Sequence, residues 1–119
     1  MKIIIAGSRT FNNYELLELE VNKFIKENNK IYKDITIISG TASGADTIGE
    51  WFAINNHHGL LRIPAKWNLY GKSAGYKRNI EMSNQADACI VFWDGVSRGS
   101  KHMIDIAKEK GLSLKVIKF

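Results

Sequence analysis

Ile3-Ile4-Ile5-Ala6-Gly7-Ser8-Arg9-Thr10 decides the reading: a short run of apolar residues, mostly β-branched, ends in a glycine and a small polar turn. A run this short and this apolar suits a strand buried on both faces. The pattern recurs, with Ile35–Ser39 running into Gly40 and Ala88–Trp93 running into Asp94-Gly95. Leu60–Ile63 and Leu114–Ile117 complete five expected strands. The first, second and fourth are nearly continuous apolar runs and are expected at the centre of the sheet. Leu114-Lys115-Val116 alternates and suits an edge.

Helical patterns fill the gaps. Asn12 stands as an expected N-cap with Glu15 three residues on, followed by a buried stripe of Leu17, Val21 and Phe24. A second helix is expected from about Ser43 to His57 with Gly59 as its stop, a third over Gly75–Asn84, and a fourth over Gly99–Lys110 ended by Gly111. Strand and helix alternate throughout. That predicts an α/β, Rossmann-like three-layer sandwich: a mainly parallel five-stranded sheet with helices on both faces. Gly7, Gly40, Gly44, Gly71, Gly75, Gly95 and Gly99 all follow strands, which places them at the carboxyl edge, where open parallel sheets bind ligands.

The 119 residues, 45% apolar and 24% charged, fit one globular domain over 1–119 with a core large enough to need no staples. No stretch of about 18 apolar residues is present, which excludes a helical membrane span. Ile3–Ala6 is too short for the apolar region of a signal peptide, so a cytoplasmic location is expected. Cys89 is the only cysteine and sits in an apolar run, so it reads as core rather than nucleophile. His57, His58 and His102 lack a zinc spacing, and neither metal nor cofactor is expected. Trp51, Phe52, Phe92 and Met103 are expected in the core.

The net charge of +5 is unevenly placed. Residues 41–80 carry a net +3, the segments on either side +1 each, and no Asp or Glu occurs from Trp51 to Ile80. Arg62, Lys66, Lys72, Lys77 and Arg78 fall in that acid-free stretch, as expected near an anion site. Trp67, Tyr70 and Tyr76 are interleaved with them, either stacking on a nucleobase or packing their own loop onto the domain.

Several motifs fail on inspection. The GxGxxG fingerprint is absent, and Ser39 stands where a ribose-binding acid would end the second strand. Gly71-Lys72-Ser73 resembles the end of a P-loop, but Lys66 occupies the required earlier glycine. Gly95-Val96-Ser97-Arg98-Gly99 fits GxSxG, yet the nearest histidine, His102, lies on the next helix and is too close to complete a triad. Ser97 and Ser100 read better as a phosphate cradle at the fourth helix. Asp46 has two readings, a capping-box partner of Ser43 or a cleft residue on a ribose hydroxyl. Asp94 either shapes its turn or accepts from a base or sugar.

The ordered motifs Ala6-Gly7-Ser8-Arg9, Ser39-Gly40-Thr41-Ala42-Ser43-Gly44-Ala45-Asp46, Gly75-Tyr76-Lys77-Arg78-Asn79 and Asp94-Gly95-Val96-Ser97-Arg98-Gly99 resemble the YspA-like (YpsA-related) branch of the SLOG superfamily. That superfamily of Rossmann-like domains is typified by the DNA-processing protein DprA and the Lonely Guy enzymes. The resemblance implies a site for nucleotides or nucleotide-derived molecules, with many members proposed as ligand sensors in bacterial and phage conflict systems. It also implies homo-oligomers, since related families often form them. Lonely Guy enzymes release a base from a nucleoside monophosphate. Their RKxxM pattern resembles Arg78-Asn79-Ile80-Glu81-Met82, but Met103 falls where their glutamate belongs. Methionine can act neither as a base nor as an oxocarbenium stabiliser. Hydrolysis would therefore need Asp46, Glu81 or Asp94 as a substitute.

Three functions follow as expectations. The leading one is a nucleotide sensor or sequestering protein, with Gly7, Ser8, Arg9, Gly40, Ser43, Gly44, Asp46, Lys72, Ser73, Arg78, Asn79, Asp94, Gly95, Ser97, Gly99 and Ser100 around the ligand. Arg9, Lys72 and Arg78 would meet the phosphate, and backbone N–H groups after Gly40 and Gly95 would complete the cradle. Asp46, Asn79 and Asp94 would contact ribose or base. The second is an N-glycosidase or phosphoribohydrolase. The third is nucleic-acid binding, suggested by a pI near 9.4 and by the DprA likeness.

Overall fold

The computed structural model describes residues 1–28 and 34–119. Strands β1 (Lys2–Gly7), β2 (Thr36–Ser39), β3 (Gly59–Arg62), β4 (Ala88–Trp93) and β5 (Ser113–Lys118) form one sheet in the order β3-β2-β1-β4-β5. Every neighbouring pair is parallel, with Ile3 opposite Ile37 and Ala88, and Cys89 opposite Leu114. The apolar runs are central and the alternating β5 is an edge, as the sequence implied.

Strand alternation sorts β1 into two cores. Ile3 and Ile5 pack on one face with Leu17, Val21 and Phe24 of α1 (Tyr14–Asn28) and with Ile48 and Phe52 of α2 (Ala45–Asn55). Ile4 and Ala6 face the other way, against Met82 of α4 (Ala74–Gln85) and Met103, Ile104 and Ala107 of α5 (Arg98–Glu109). The chain builds outward from β1 to β3 beneath α1 and α2. It then returns across the opposite face to start β4 on the other side of β1. The connections after β1 and β4 therefore diverge, and divergence opens a crevice at the carboxyl edge.

Three local expectations are corrected, and one further segment is defined. Asn13, not Asn12, caps α1, its Oδ1 accepting from the Leu16 N–H at 3.0 Å. Phe11 is the cause: its N–H bonds to the Ser8 carbonyl and its ring stacks on Phe92, so Asn12 only bridges to the helix. Gly59 is the first residue of β3 and does not stop α2. His57 does, at φ 57, with its N–H donating to Ile54 O and the His58 N–H to Ala53 O. Trp51 is 53% exposed, since Ile48 and Phe52, one turn apart, take the inward stripe and turn it sideways. Finally, the segment before α4 is a short helix α3 (Trp67–Tyr70) and a 3₁₀ turn (Gly71–Ser73), none of it buried. Cys89 is fully buried, and burial pushes its thiol up to about 12, so it remains protonated and inert.

Candidate functional site

The crevice between the β1 and β4 connections is a cavity of about 380 Å³, within the range of small-molecule sites. Gly7, Ser8, Arg9 and Thr10 line it from β1, and Asp94, Ser97, Gly99 and Ser100 from β4 and α5. Ala42 and Asp46 enter from the β2 side, Arg78, Asn79 and Met82 from α4, and Met103 from α5.

Ser8 is the hub that fixes this geometry. Its N–H donates to Phe92 O, its carbonyl accepts from Phe11 and Ala45, and its Oγ accepts the Asp94 N–H at 3.1 Å. Gly44 packs directly beneath. At φ 76, a Cβ there would lie 2.4 Å from the Ser8 oxygen and 2.5 Å from that of Arg9. The paired glycine-rich motifs of the sequence are thus one structure, in which Gly44 lets α2 begin against the backbone that presents Arg9. The same conformation rules out the Ser43–Asp46 capping box. Ser43 is turned outward, α2 has no side-chain cap, and Asp46 Oδ2 instead accepts from the Ala42 N–H at 3.2 Å.

Asp46 and Arg78 converge over Gly40. A Cβ at Gly40 would stand 2.8 Å from Asp46 Oδ2 and 3.0 Å from Arg78 Nε, so only hydrogen there leaves room for both. Asp46 is 4% exposed, and burial pushes its carboxyl up to about 6. The Ala42 N–H, Arg78 and Arg9 oppose that shift, while Glu50 adds to it. Arg78 donates from Nη1 to Gly40 O at 2.9 Å and from Nε to Asn79 Oδ1 at 3.3 Å. Burial lowers its pKa, Asp46 raises it and Arg9 lowers it further, which leaves an ordinary charged guanidinium. Asn79 is buried and held through Nδ2 near Gly99 O and His102 Nδ1. His102 stands edge-on to Tyr76, and burial lowers its pKa.

The donors expected to cradle a phosphate are already engaged. Asp94 Oδ1 accepts from the Val96 and Ser97 N–H groups at 2.8 Å each, which holds its carboxyl below the ordinary range. The Thr41 N–H donates to Ser39 Oγ, which donates in turn to Glu50, itself paired with Arg62. Ser97 Oγ caps α5 by accepting from Ser100 N–H and Oγ–H. Positive potential facing the cleft therefore comes from the Arg9 and Arg78 guanidinium groups and from the dipole end at the first turn of α5. Among the described residues, no protein acceptor is found for the Arg9 guanidinium or for the Arg98 and Gly99 N–H groups.

The remaining expected site residues lie apart from this cavity. Gly40 and Ser43 line an adjoining hollow. Gly95 sits in the open turn after β4, at φ 87. Lys72 and Ser73 are on the exposed 3₁₀ turn, where Ser73 Oγ donates to Tyr70 O. Thr10, Ala42, Met82 and Met103 line the cavity without having been assigned to it from sequence. Thr10 directly follows the Ala6–Arg9 motif and Ala42 lies within the Ser39–Asp46 motif, but a methyl-bearing or apolar side chain carries no compositional signal of a ligand. No cluster of metal-ligating side chains occurs among the described residues, and none of their helices is long and apolar enough to cross a membrane.

This architecture, a parallel sheet of order 3-2-1-4-5 with its cleft where strand order reverses, defines a Rossmann-like α/β class of domain. The model of the YspA, cpYpsA-related SLOG family matches residues 1–70, which include both the Gly7-Ser8-Arg9 turn and the Ser39–Asp46 loop. A relative, the Gene 61 protein of Mycobacterium phage D29, is 30% identical over 117 residues, covering 93% of this chain and 91% of its own. The chain belongs to the YspA, cpYpsA-related SLOG family.

Two solved structures share the fold. DNA processing protein A of Streptococcus pneumoniae superposes with a TM-score of 0.75 at 19% identity, over 99% of this chain and 50% of that one. DNA processing protein A from Helicobacter pylori, a structure described for its single-stranded DNA binding mode, gives 0.67 at 20% identity, over 98% and 64%. This chain thus spans half to under two-thirds of either.

Proposed function

We propose that the cleft binds a nucleotide or nucleotide-derived small molecule and releases it unchanged, as a sensor or sequestering protein does. The observation that carries this reading is the meeting of two guanidinium groups, Arg9 and Arg78, with the first turn of α5 around one cavity. Guanidinium groups and a helix N-terminus both favour a phosphate. Asp46 and Asn79, both buried and both lining the cavity, supply polar groups for a ribose or base.

Hydrolysis is the weaker reading. Met103 is buried in the cleft wall where a carboxylate would be needed, and Glu81 lies on a side hollow instead. Asp94 is already engaged by two N–H groups, which leaves Asp46 as the remaining carboxylate. A specific observation favours a third reading, single-stranded nucleic acid: the fold shared with the DprA structures, together with exposed Trp67, Tyr70 and Tyr76 among Lys66, Lys72 and Lys77. Self-association belongs to the proposal too, supported by the exposed Leu19, Trp51 and Ile54 of α1 and α2, and light scattering would test it.

A thermal-shift screen with nucleoside mono- and diphosphates, followed by mass spectrometry, separates these readings. A ligand at about 100 times its Kd adds roughly 2.7 kcal/mol and shifts Tm by several degrees. A shift with intact ligand supports sensing. Free base that disappears in Asp46→Asn supports hydrolysis, and a response to oligonucleotides alone, steeply weakened by salt, supports nucleic acid.

A further inference from the structure

The cleft does not end at its arginines. A second hollow of about 310 Å³ adjoins it, and Arg9, Ala42 and Arg78 line both. Trp67 forms the far wall of this second hollow, facing the loop from Gly40 to Ser43.

Trp67 has the marks of a contact surface rather than a core anchor. It is 50% exposed, and no residue of α3 is buried. Its ring borders the first turn of α4: Cη2 lies 3.5 Å from the position a Gly75 Cβ would take, and Arg78 Nη2 lies 3.7 Å from that same point. Indole and guanidinium thus both flank Gly75 in the first turn of α4. Nη1 and Nε of Arg78 are spent on Gly40 and Asn79. Among the described residues Nη2, on the Trp67 side, has no protein acceptor.

We propose that this hollow is a second subsite, and that the ligand class is two nucleosides joined through phosphate. One nucleoside would occupy the cleft, the linking phosphate would lie along Arg9 and Arg78, and the second base would stack on Trp67. The proposal rests on the nucleotide reading of the cleft and narrows it. A mononucleotide leaves the Trp67 wall uncovered, whereas a planar base there gains stacking on the exposed indole. A free pyrophosphate-linked dinucleotide and a dinucleotide step of a single strand share this chemistry.

Titration calorimetry with ADP, diadenosine diphosphate and the deoxydinucleotide pdApdA tests it, using the wild-type chain, Trp67→Ala and Trp67→Phe. Diadenosine diphosphate is expected to bind about tenfold or more tighter than ADP, the size of one base stacked on an aromatic ring. Trp67→Ala should erase that margin while leaving the ADP Kd unchanged, and Trp67→Phe should keep most of it. The same margin with pdApdA instead supports the subsite with a strand as its source. Equal Kd values for the three ligands, or equal weakening of all three in Trp67→Ala, would overturn the subsite and leave the cleft reading standing. Failure of ADP and both dinucleotides to bind the wild-type chain overturns both.

Discussion

Asp46 shows at a single residue what the site costs the fold. A carboxyl held near 6 when folded and near 3.8 when unfolded binds more protons in the native state between those values. Its contribution to stability is therefore present below about pH 4 and is lost as pH rises through 6, a loss of about 2–3 kcal/mol. Asp46→Asn is expected to raise unfolding free energy at pH 7 by about 1–3 kcal/mol, with the difference vanishing near pH 4. Urea melts across that range check it, and an equal effect at both pH values contradicts it. A group kept at such a cost fits a binding role. Arg78 gives the complementary prediction. Arg78→Ala should remove nucleotide binding in calorimetry, while the loss of its charged bond to Gly40 O lowers stability by about 1.5–3 kcal/mol.

At the scale of elements, the ends of α2 and α5 form a natural comparison. Both close with paired bonds from the two residues past the cap, His57 and His58 on α2 and Gly111 and Leu112 on α5. The left-handed residue is glycine in one, at φ 70, and histidine in the other, at φ 57. A side chain in that region is strained, so His57→Gly is expected to stabilise the domain by about 0.5–1 kcal/mol in thermal melts. Ser97→Ala, which removes the α5 cap, should destabilise by about 1 kcal/mol. The same contrast explains what the chain made legible. β4 and α5 could be read to within a residue because an apolar run and a glycine stop mark them. The His57 stop could not, since histidine rarely adopts positive φ. Nor could α3, whose residues are neither periodic nor buried. Arg78 and Asp46 were visible as site candidates, but their convergence over Gly40 depends on packing across 38 residues of chain.

Among the described residues one sheet divides two cores, and the cleft exists because the chain changes direction between them. Ile37 packs beneath α1 and α2, and Ile104 on the opposite face. Ile37→Val and Ile104→Val should each cost about 0.5–1.5 kcal/mol and add within about 0.5 kcal/mol in the double variant, since they share no partners. Larger coupling would mean that strain passes through the sheet. On the reading proposed above, the connections after β1 and β4, with Arg78 between them, hold a phosphate-bearing nucleotide. A residue-resolved NMR titration of the labelled chain with ADP tests this most directly. Saturable shifts are expected at Ser8, Arg9, Ala42, Asn79 and the amides of Arg98 to Ser100, with α1 and the outer face of α2 unmoved. Shifts confined to α1 and α2, or none at saturating ADP, would contradict it.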